Sequence, residues 1–238
     1  MGLVDLHCHI LPALDDGALD LRDTVAMARQ AQRDGIDVVV ATPHIRRDHD
    51  VRIWELPERC ALVNDMLARA GLRVRVEPGA EVAEPIVSDL SHDELRACTL
   101  GGAGRWILLE PGAGPLSDRT HATVRAVGEQ GFGVVLAHPE RHPSDDLLDR
   151  LGALAGDGVL IQLTAAFAAD DSAHALLHAG LVHVLGSDAH SSHGGRPLKL
   201  TTGLERLADV PALAPHVEWI ARIAPHAIID GRPLTAPY

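Results

Sequence analysis

His7 and His9 are separated by a single residue, and so are Asp188 and His190. In an extended strand, residues two apart share a face, so each pair presents two adjacent donors while Cys8 turns the other way. More donors close short apolar runs. His44 ends Val38-Val39-Val40-Ala41-Thr42-Pro43, His138 ends Val134-Val135-Leu136-Ala137, and Glu81 and Glu110 follow the runs at 74–77 and 106–109. Asp16 sits in an Asp15-Asp16-Gly17 turn. Imidazole and carboxylate without thiolate suit Mn²⁺, Fe²⁺ or Zn²⁺. The nine donors His7, His9, Asp16, His44, Glu81, Glu110, His138, Asp188 and His190 exceed what one ion can use. Two or three divalent cations are therefore expected, with Glu81 a natural bridge between two of them.

The positioning elements follow from the pattern around these residues. Strands are expected at 3–6, 37–41, 74–77, 106–109, 133–137, 159–163 and 182–185. Helical stretches at 20–34, 56–70, 118–130, 145–154 and 170–178 alternate with them, and a helix-rich region, 200–224, follows. Such β–α alternation implies a parallel sheet, open or closed into a barrel. All strand C-termini then emerge on one face, where sites are assembled from several strands. A lone histidine at a strand end is ordinarily a surface or capping residue, and Asp-Gly alone is a turn signal. Neither explains why these residues collect on one face. The histidines at 49, 92, 121, 174, 178, 183, 216 and 226 are read as ordinary surface or core residues. His142 and His193 are the two that neighbour the proposed site. Gly101-Gly102-Ala103-Gly104 precedes a strand and lacks a Gly-Lys-Ser/Thr ending, so it reads as a turn and not a phosphate loop.

Composition narrows the partners. The chain is 46% hydrophobic and 23% charged, the balance of a soluble globular domain. Aromatics make up 3%, so Val, Leu, Ile and Ala must fill the core, as in a helix-covered parallel sheet. A formal charge of −12 opposes nucleic acid and anionic membrane partners. Four of the nine donors are carboxylates, so bound cations would neutralise part of that charge. Three cysteines without a C-x-x-C pair suit a reducing compartment. With no signal-like or membrane-length apolar stretch, a cytoplasmic location without membrane insertion is expected.

The motifs Asp5-Leu6-His7-Cys8-His9, Asp15-Asp16-Gly17, Thr42-Pro43-His44, Gly79-Ala80-Glu81, Leu108-Leu109-Glu110, Ala137-His138-Pro139-Glu140-Arg141 and Gly186-Ser187-Asp188-Ala189-His190 resemble those of the polymerase-and-histidinol-phosphatase (PHP) superfamily. Within it the chain is most similar to the bacterial manganese-dependent tyrosine-protein phosphatases of capsule and exopolysaccharide loci. The likeness spans residues 1–238 as one domain, including Ala224-Pro225-His226-Ala227 where the family has an Asn-Pro-like element. It implies an α/β fold, a distorted (β/α)₇ TIM-like barrel. It further implies one cation on His7, His9 and Asp188, Glu81 bridging to a second with Glu110 and His138, and a third on Asp16, His44 and His190.

Asp16 rather than Asp15 follows from the fixed offset to His7. Arg141 and Arg196 match the family's phosphate-binding arginines, for which bidentate guanidinium geometry is suited. The implied reaction is phosphomonoester hydrolysis with Mn²⁺. The substrate would be a phosphotyrosine protein such as a tyrosine autokinase of polysaccharide synthesis, or else a small phosphate ester such as histidinol phosphate. A metal-dependent amidohydrolase and a non-catalytic binding module are the remaining readings. His193 is one option for the proton donor. Two features depart from the phosphatase pattern. Pro111-Gly112-Ala113-Gly114 lacks the aromatic residue common after the glutamate, and the chain has only two Phe and one Tyr.

Overall fold

A computed structural model describes residues 2–238. Among these residues nine strands are present: β1 (Leu3–Cys8), β2 (Ile36–Ala41), β3 (His44–Ile45), β4 (Arg75–Pro78), β5 (Glu81–Ala83), β6 (Trp106–Glu110), β7 (Gly133–Leu136), β8 (Leu160–Thr164) and β9 (Val184–Gly186). Eight α-helices accompany them: α1 (Leu21–Arg33), α2 (Leu56–Arg69), α3 (His92–Ala97), α4 (Asp118–Glu129), α5 (Leu147–Gly156), α6 (Asp171–His178), α7 (Thr201–Ala208) and α8 (Ala224–Ile229). Every strand pair is parallel.

The strands form two sheets, β1-β2-β4 and β3-β5-β6-β7-β8-β9. Two of the seven expected strands, 37–41 and 74–77, are each followed after a two-residue break by a short further strand, β3 and β5, which is why nine appear. Thr42-Pro43 separates β2 from β3, since proline offers no N–H to the ladder. Gly79-Ala80 separates β4 from β5. A Cβ at Gly79 would stand 2.7 Å from Val40 Cγ1, so glycine alone fits the close approach there. Pairing resumes past both breaks, with Glu81 N–H donating to the Pro43 carbonyl at 3.1 Å. Counted as continuous passes, the strands run in sequence order around a distorted barrel. The ring closes where Cys8 bridges Ala189 and where the His9 N–H and Asp188 N–H donate to the Ala189 and His7 carbonyls at 2.9 and 2.8 Å.

Alternation along each strand builds two apolar layers. Val4, Leu6, Val38, Val40, Leu108, Val135, Leu160 and Val184 form the inner cluster with Ala224 and Ile228 of α8. Ile36, Val39, Ile107, Leu109, Val134, Leu136, Ile161 and Leu163 belong to the outer layer. In β1 a register irregularity between Asp5 and Cys8 follows inward Val4 and Leu6. Beyond it His7 and His9 face the mouth and Cys8 lies in the outer layer. The helix-rich region expected at 200–224 resolves into α7, short 3₁₀ and π turns, and α8. Ala224-Pro225 opens α8, with Pro225 in its first turn where no N–H is needed. Gly101, Gly102 and Gly104 all have positive φ, as a turn requires.

Candidate metal centre

All nine predicted donors meet at the mouth of the barrel. Their donor atoms form four overlapping groups, each with atoms within 4.8 Å of one another: His9, Asp16, His44 and His190; His7, His9 and Asp188; His7, Glu81 and His138; and His44, Glu81 and Glu110. Glu81, fully buried, lies at the centre. One of its oxygens is 3.2 Å from His7 Nε2, 3.4 Å from His9 Nε2 and 3.0 Å from His44 Nδ1, and the other is 2.9 Å from His138 Nε2. Asp16 lies 3.5 Å from both His44 Nε2 and His190 Nε2. Glu110 is 3.7 Å from His44 Nδ1.

Backbone geometry aims two of these side chains. His138 and Asp188 each follow a strand, and both adopt positive φ, 33° and 50°. Such conformations are costly for residues with a Cβ and tend to persist at functional sites.

The orientations of the first histidine pair come from partners elsewhere in the chain. His7 Nδ1 is 3.0 Å from Gln162 Oε1, and His9 Nδ1 is 2.8 Å from Asp15 Oδ2. Each acceptor fixes the proton on Nδ1. The two Nε2 atoms then face each other at 3.3 Å, with Asp188 Oδ1 3.5 and 3.6 Å away. Opposed lone pairs beside two carboxylates are reconciled only by a positive species between them. His138 Nδ1 is buried without a hydrogen-bond partner, a costly state for a polar atom otherwise. The residues therefore fit a divalent metal cluster.

Electrostatics point the same way. Burial alone would lower the His9 pKa, but hydrogen bonds to the Asp15 and Glu81 carboxylates raise it to about 10. Burial likewise opposes the charge on His7, and Glu81 and Asp188 raise its pKa. Burial would push Glu81 up; the charge of His7 and hydrogen bonds to His138, His44 and His7 hold it far below the usual carboxylate range. Glu110 is raised by burial and by the neighbouring Glu81 charge. His190 falls to about 4 through burial and the adjacent His9. Protons and cations compete for the same lone pairs here.

Both predicted arginines border the cluster. Arg141, in the turn Pro139–Arg141, hydrogen-bonds through Nη2 to Asp188 Oδ2. Arg196 donates from Nε to the Asp188 carbonyl at 2.7 Å and lies 3.2 Å from Asp188 Oδ2. Asp188 thus turns one oxygen to the histidines and the other to the arginines. A cavity of about 320 Å³ opens against Glu110, His138 and Arg141, walled by Arg46, Pro85 and His142.

Several participants have no strand-end signature. Asp15 orients His9 and also accepts the His44 N–H at 2.9 Å and the Gly17 N–H at 3.0 Å. Gln162 is a fully buried polar residue within the apolar run of β8, a signal that was available in the sequence. Arg46 reaches within 3.6 Å of Glu110. His142 donates from Nδ1 to the Gly114 carbonyl at 2.6 Å and lines the cavity. His193 is 80% exposed beside Asp23 and stands outside all four donor groups. His49, read as an ordinary surface residue, stacks on His44 with ring centroids 5.6 Å apart.

A family model described as "Capsular polysaccharide synthesis, CpsB/CapC" matches residues 3–210. Tyrosine-protein phosphatase YwqE of Bacillus subtilis (strain 168) is 30% identical over 202 residues, spanning 79% of this chain and 78% of that protein. Putative tyrosine-protein phosphatase CapC of Staphylococcus aureus is 26% identical over 200 residues, spanning 79% and 77%. Among solved structures, one from a study of YwqE from Bacillus subtilis and CpsB from Streptococcus pneumoniae, described as unique metal-dependent tyrosine phosphatases, superposes with a TM-score of 0.81. It is 24% identical and covers 98% of this chain and 96% of that one, in keeping with the expected distorted barrel. With the model match extending over most of its length, the chain belongs to the CpsB/CapC family of capsular polysaccharide synthesis.

Proposed function

We propose that this protein is a metal-dependent protein-tyrosine phosphatase of bacterial polysaccharide synthesis, acting in the cytoplasm on a phosphotyrosine protein such as a tyrosine autokinase. The observation that carries this reading is the junction at Asp188, where a cage of imidazoles and carboxylates meets two guanidinium groups. Two or three cations, Mn²⁺ foremost, would be held by His7, His9 and Asp188, by Glu81, Glu110 and His138, and by Asp16, His44 and His190. When bound, they would supply Lewis acidity and lower the pKa of water from about 15.7 toward neutrality.

The chain's own groups account for the rest. Arg141 and Arg196 offer planar N–H donors to phosphoryl oxygens, which lysine could not match bidentately. The cavity beside Glu110 and His138 receives the organic part of the ester. A phenolate leaving group, with a pKa near 10, asks for little help from an acid.

A cysteine nucleophile is unsuited to this chain, although Cys8 lies between two proposed ligands. Its side chain is fully buried and burial pushes the thiol pKa far up, whereas a nucleophilic cysteine needs an accessible, low-pKa thiolate. Burial also raises Cys60 and Cys98 to about 12. Three free cysteines agree with a reducing compartment, and no helix among the described residues is long and apolar enough to cross a membrane.

Exhaustive chelation should abolish hydrolysis of a phosphotyrosine peptide and added Mn²⁺ should restore it. Activity that survives chelation overturns the proposal. A second reading, a small phosphate ester such as histidinol phosphate, draws on the cavity's lining of Pro85, Pro111, Gly112 and Ala113, which includes no Phe, Tyr or Trp. Relative kcat/KM on the two substrate classes decides between them.

A further inference from the structure

Arg141 and Arg196 come from separate loops, after β7 and after β9, yet share two neighbours. Both reach Asp188 Oδ2. Both guanidinium carbons also lie over the ring of Phe167, 5.5 and 5.9 Å from its centroid. Two like charges drawn to one carboxylate oxygen still repel each other, and the other oxygen of Asp188 is turned to His7, His9 and His190. The face of an aromatic ring carries a negative quadrupole and adds attraction without a proton acceptor.

The ring is itself held in place. Phe167 ends the turn Ala165–Phe167 that directly follows β8, and it is half-buried. On the far side α7 presses on this turn. A Cβ at Gly203 would stand 3.0 Å from both Cα and Cβ of Ala165, so a glycine lets the helix come this close. Phe167 is one of only two phenylalanines in the chain, and it stands where the two cations meet.

We propose that Phe167 is a positioning residue that holds Arg141 and Arg196 as one anion-binding pair. The inference rests on the reading of these arginines as phosphoryl-binding groups. Phe167 acts through the guanidiniums and need not touch the substrate.

The test uses the Mn²⁺-loaded protein, with inorganic phosphate as probe in calorimetry and as a competitive inhibitor. Phe167→Ala should weaken phosphate binding roughly five- to thirty-fold, the worth of two cation–π contacts. It should raise KM for a phosphotyrosine peptide by a similar factor with little change in kcat, the signature of lost uniform binding. Melting temperature and metal content should match wild type. Phe167→Tyr, which keeps the π face, should bind phosphate within about twofold of wild type. Phe167→Leu, which fills the space without one, should behave like Phe167→Ala. Unchanged phosphate affinity in Phe167→Ala, full affinity in Phe167→Leu, or loss of metal with the ring overturns the proposal. A wild-type protein that binds phosphate but leaves phosphotyrosine intact would instead sink the phosphatase reading, with the role of Phe167 still decided by the binding data.

Discussion

His7 and His9 at the mouth of the barrel and His183 at its base are buried almost equally, at 0%, 1% and 3% exposure. At the mouth, carboxylates face the rings and raise both pKa values despite burial. At the base, His183 Nδ1 accepts the Ile161 N–H at 2.9 Å, and the ring stacks on Tyr238 with centroids 5.5 Å apart. Burial, unopposed, lowers the His183 pKa to about 4. Depth does not separate a ligand from a structural histidine. The partners do: a ligand's second nitrogen faces acids and other lone pairs, whereas the structural ring has given its lone pair to the backbone.

The widest gap between the two ends should come from Asp188→Ala. It removes a donor from the cluster and the shared partner of both arginines, so turnover should fall by well over about 100-fold, beyond what loss of an outer partner costs. Far-ultraviolet circular dichroism should stay native. Near-normal kcat/KM in a correctly folded Asp188→Ala would place the chemistry elsewhere.

Asp15→Asn sharpens the contrast one step out. The amide cannot hold His9 as the carboxylate does, and metal affinity should drop about 10- to 100-fold, read by competition with a chelating dye. Affinity equal to wild type would reduce Asp15 to a loop-closing residue.

The smallest effect belongs to the base. His183→Gln should leave kcat/KM unchanged while altering how stability depends on pH. Between the ordinary value of 6.5 and the folded value of about 4, the unfolded chain binds a proton that the folded chain refuses. The stability contributed by His183 is therefore complete above pH 6.5 and lost as pH falls toward 4. In denaturant titrations of chelated protein, the wild-type advantage over His183→Gln should shrink by on the order of 2–3 kcal/mol across that window. His9 carries the opposite sign: its contribution is present below pH 6.5 and lost as pH rises through about 10. A wild-type advantage that stays flat from pH 7 to 4 would mean that His183 is protonated in the fold.

The positions of His44, Glu81, Glu110 and His138 were legible because an apolar run announces its own end, and a parallel sheet sends every such end to one mouth. Asp16 was legible from its offset to His7. The breaks at Pro43 and Gly79 were not read, because each divides what periodicity presents as a single strand with its trailing residues. Gln162 stood out as a polar residue in an apolar run, but neither its partner nor that of Phe167 was legible, for a different reason. Gln162 meets His7 across 155 positions, and Phe167 meets arginines on two other loops, so no local pattern carries either contact. Asp15 lay between. Its turn was evident, but the choice of Asp16 as donor left open what Asp15 does, and only the folded loop brings it to His9 Nδ1.

The seam that closes the barrel joins Cys8 to Ala189, and the residues flanking that seam, His7, His9, Asp188 and His190, are also members of the metal groups. During synthesis the first pair leaves the ribosome long before the second, and the cluster cannot be completed until Asp188 and His190 have emerged. Contacts of such long sequence separation form late and slowly. On the proposed ligand assignment, cation capture awaits closure of this seam, so a nascent chain stalled short of Asp188 would hold its early histidines without their partners.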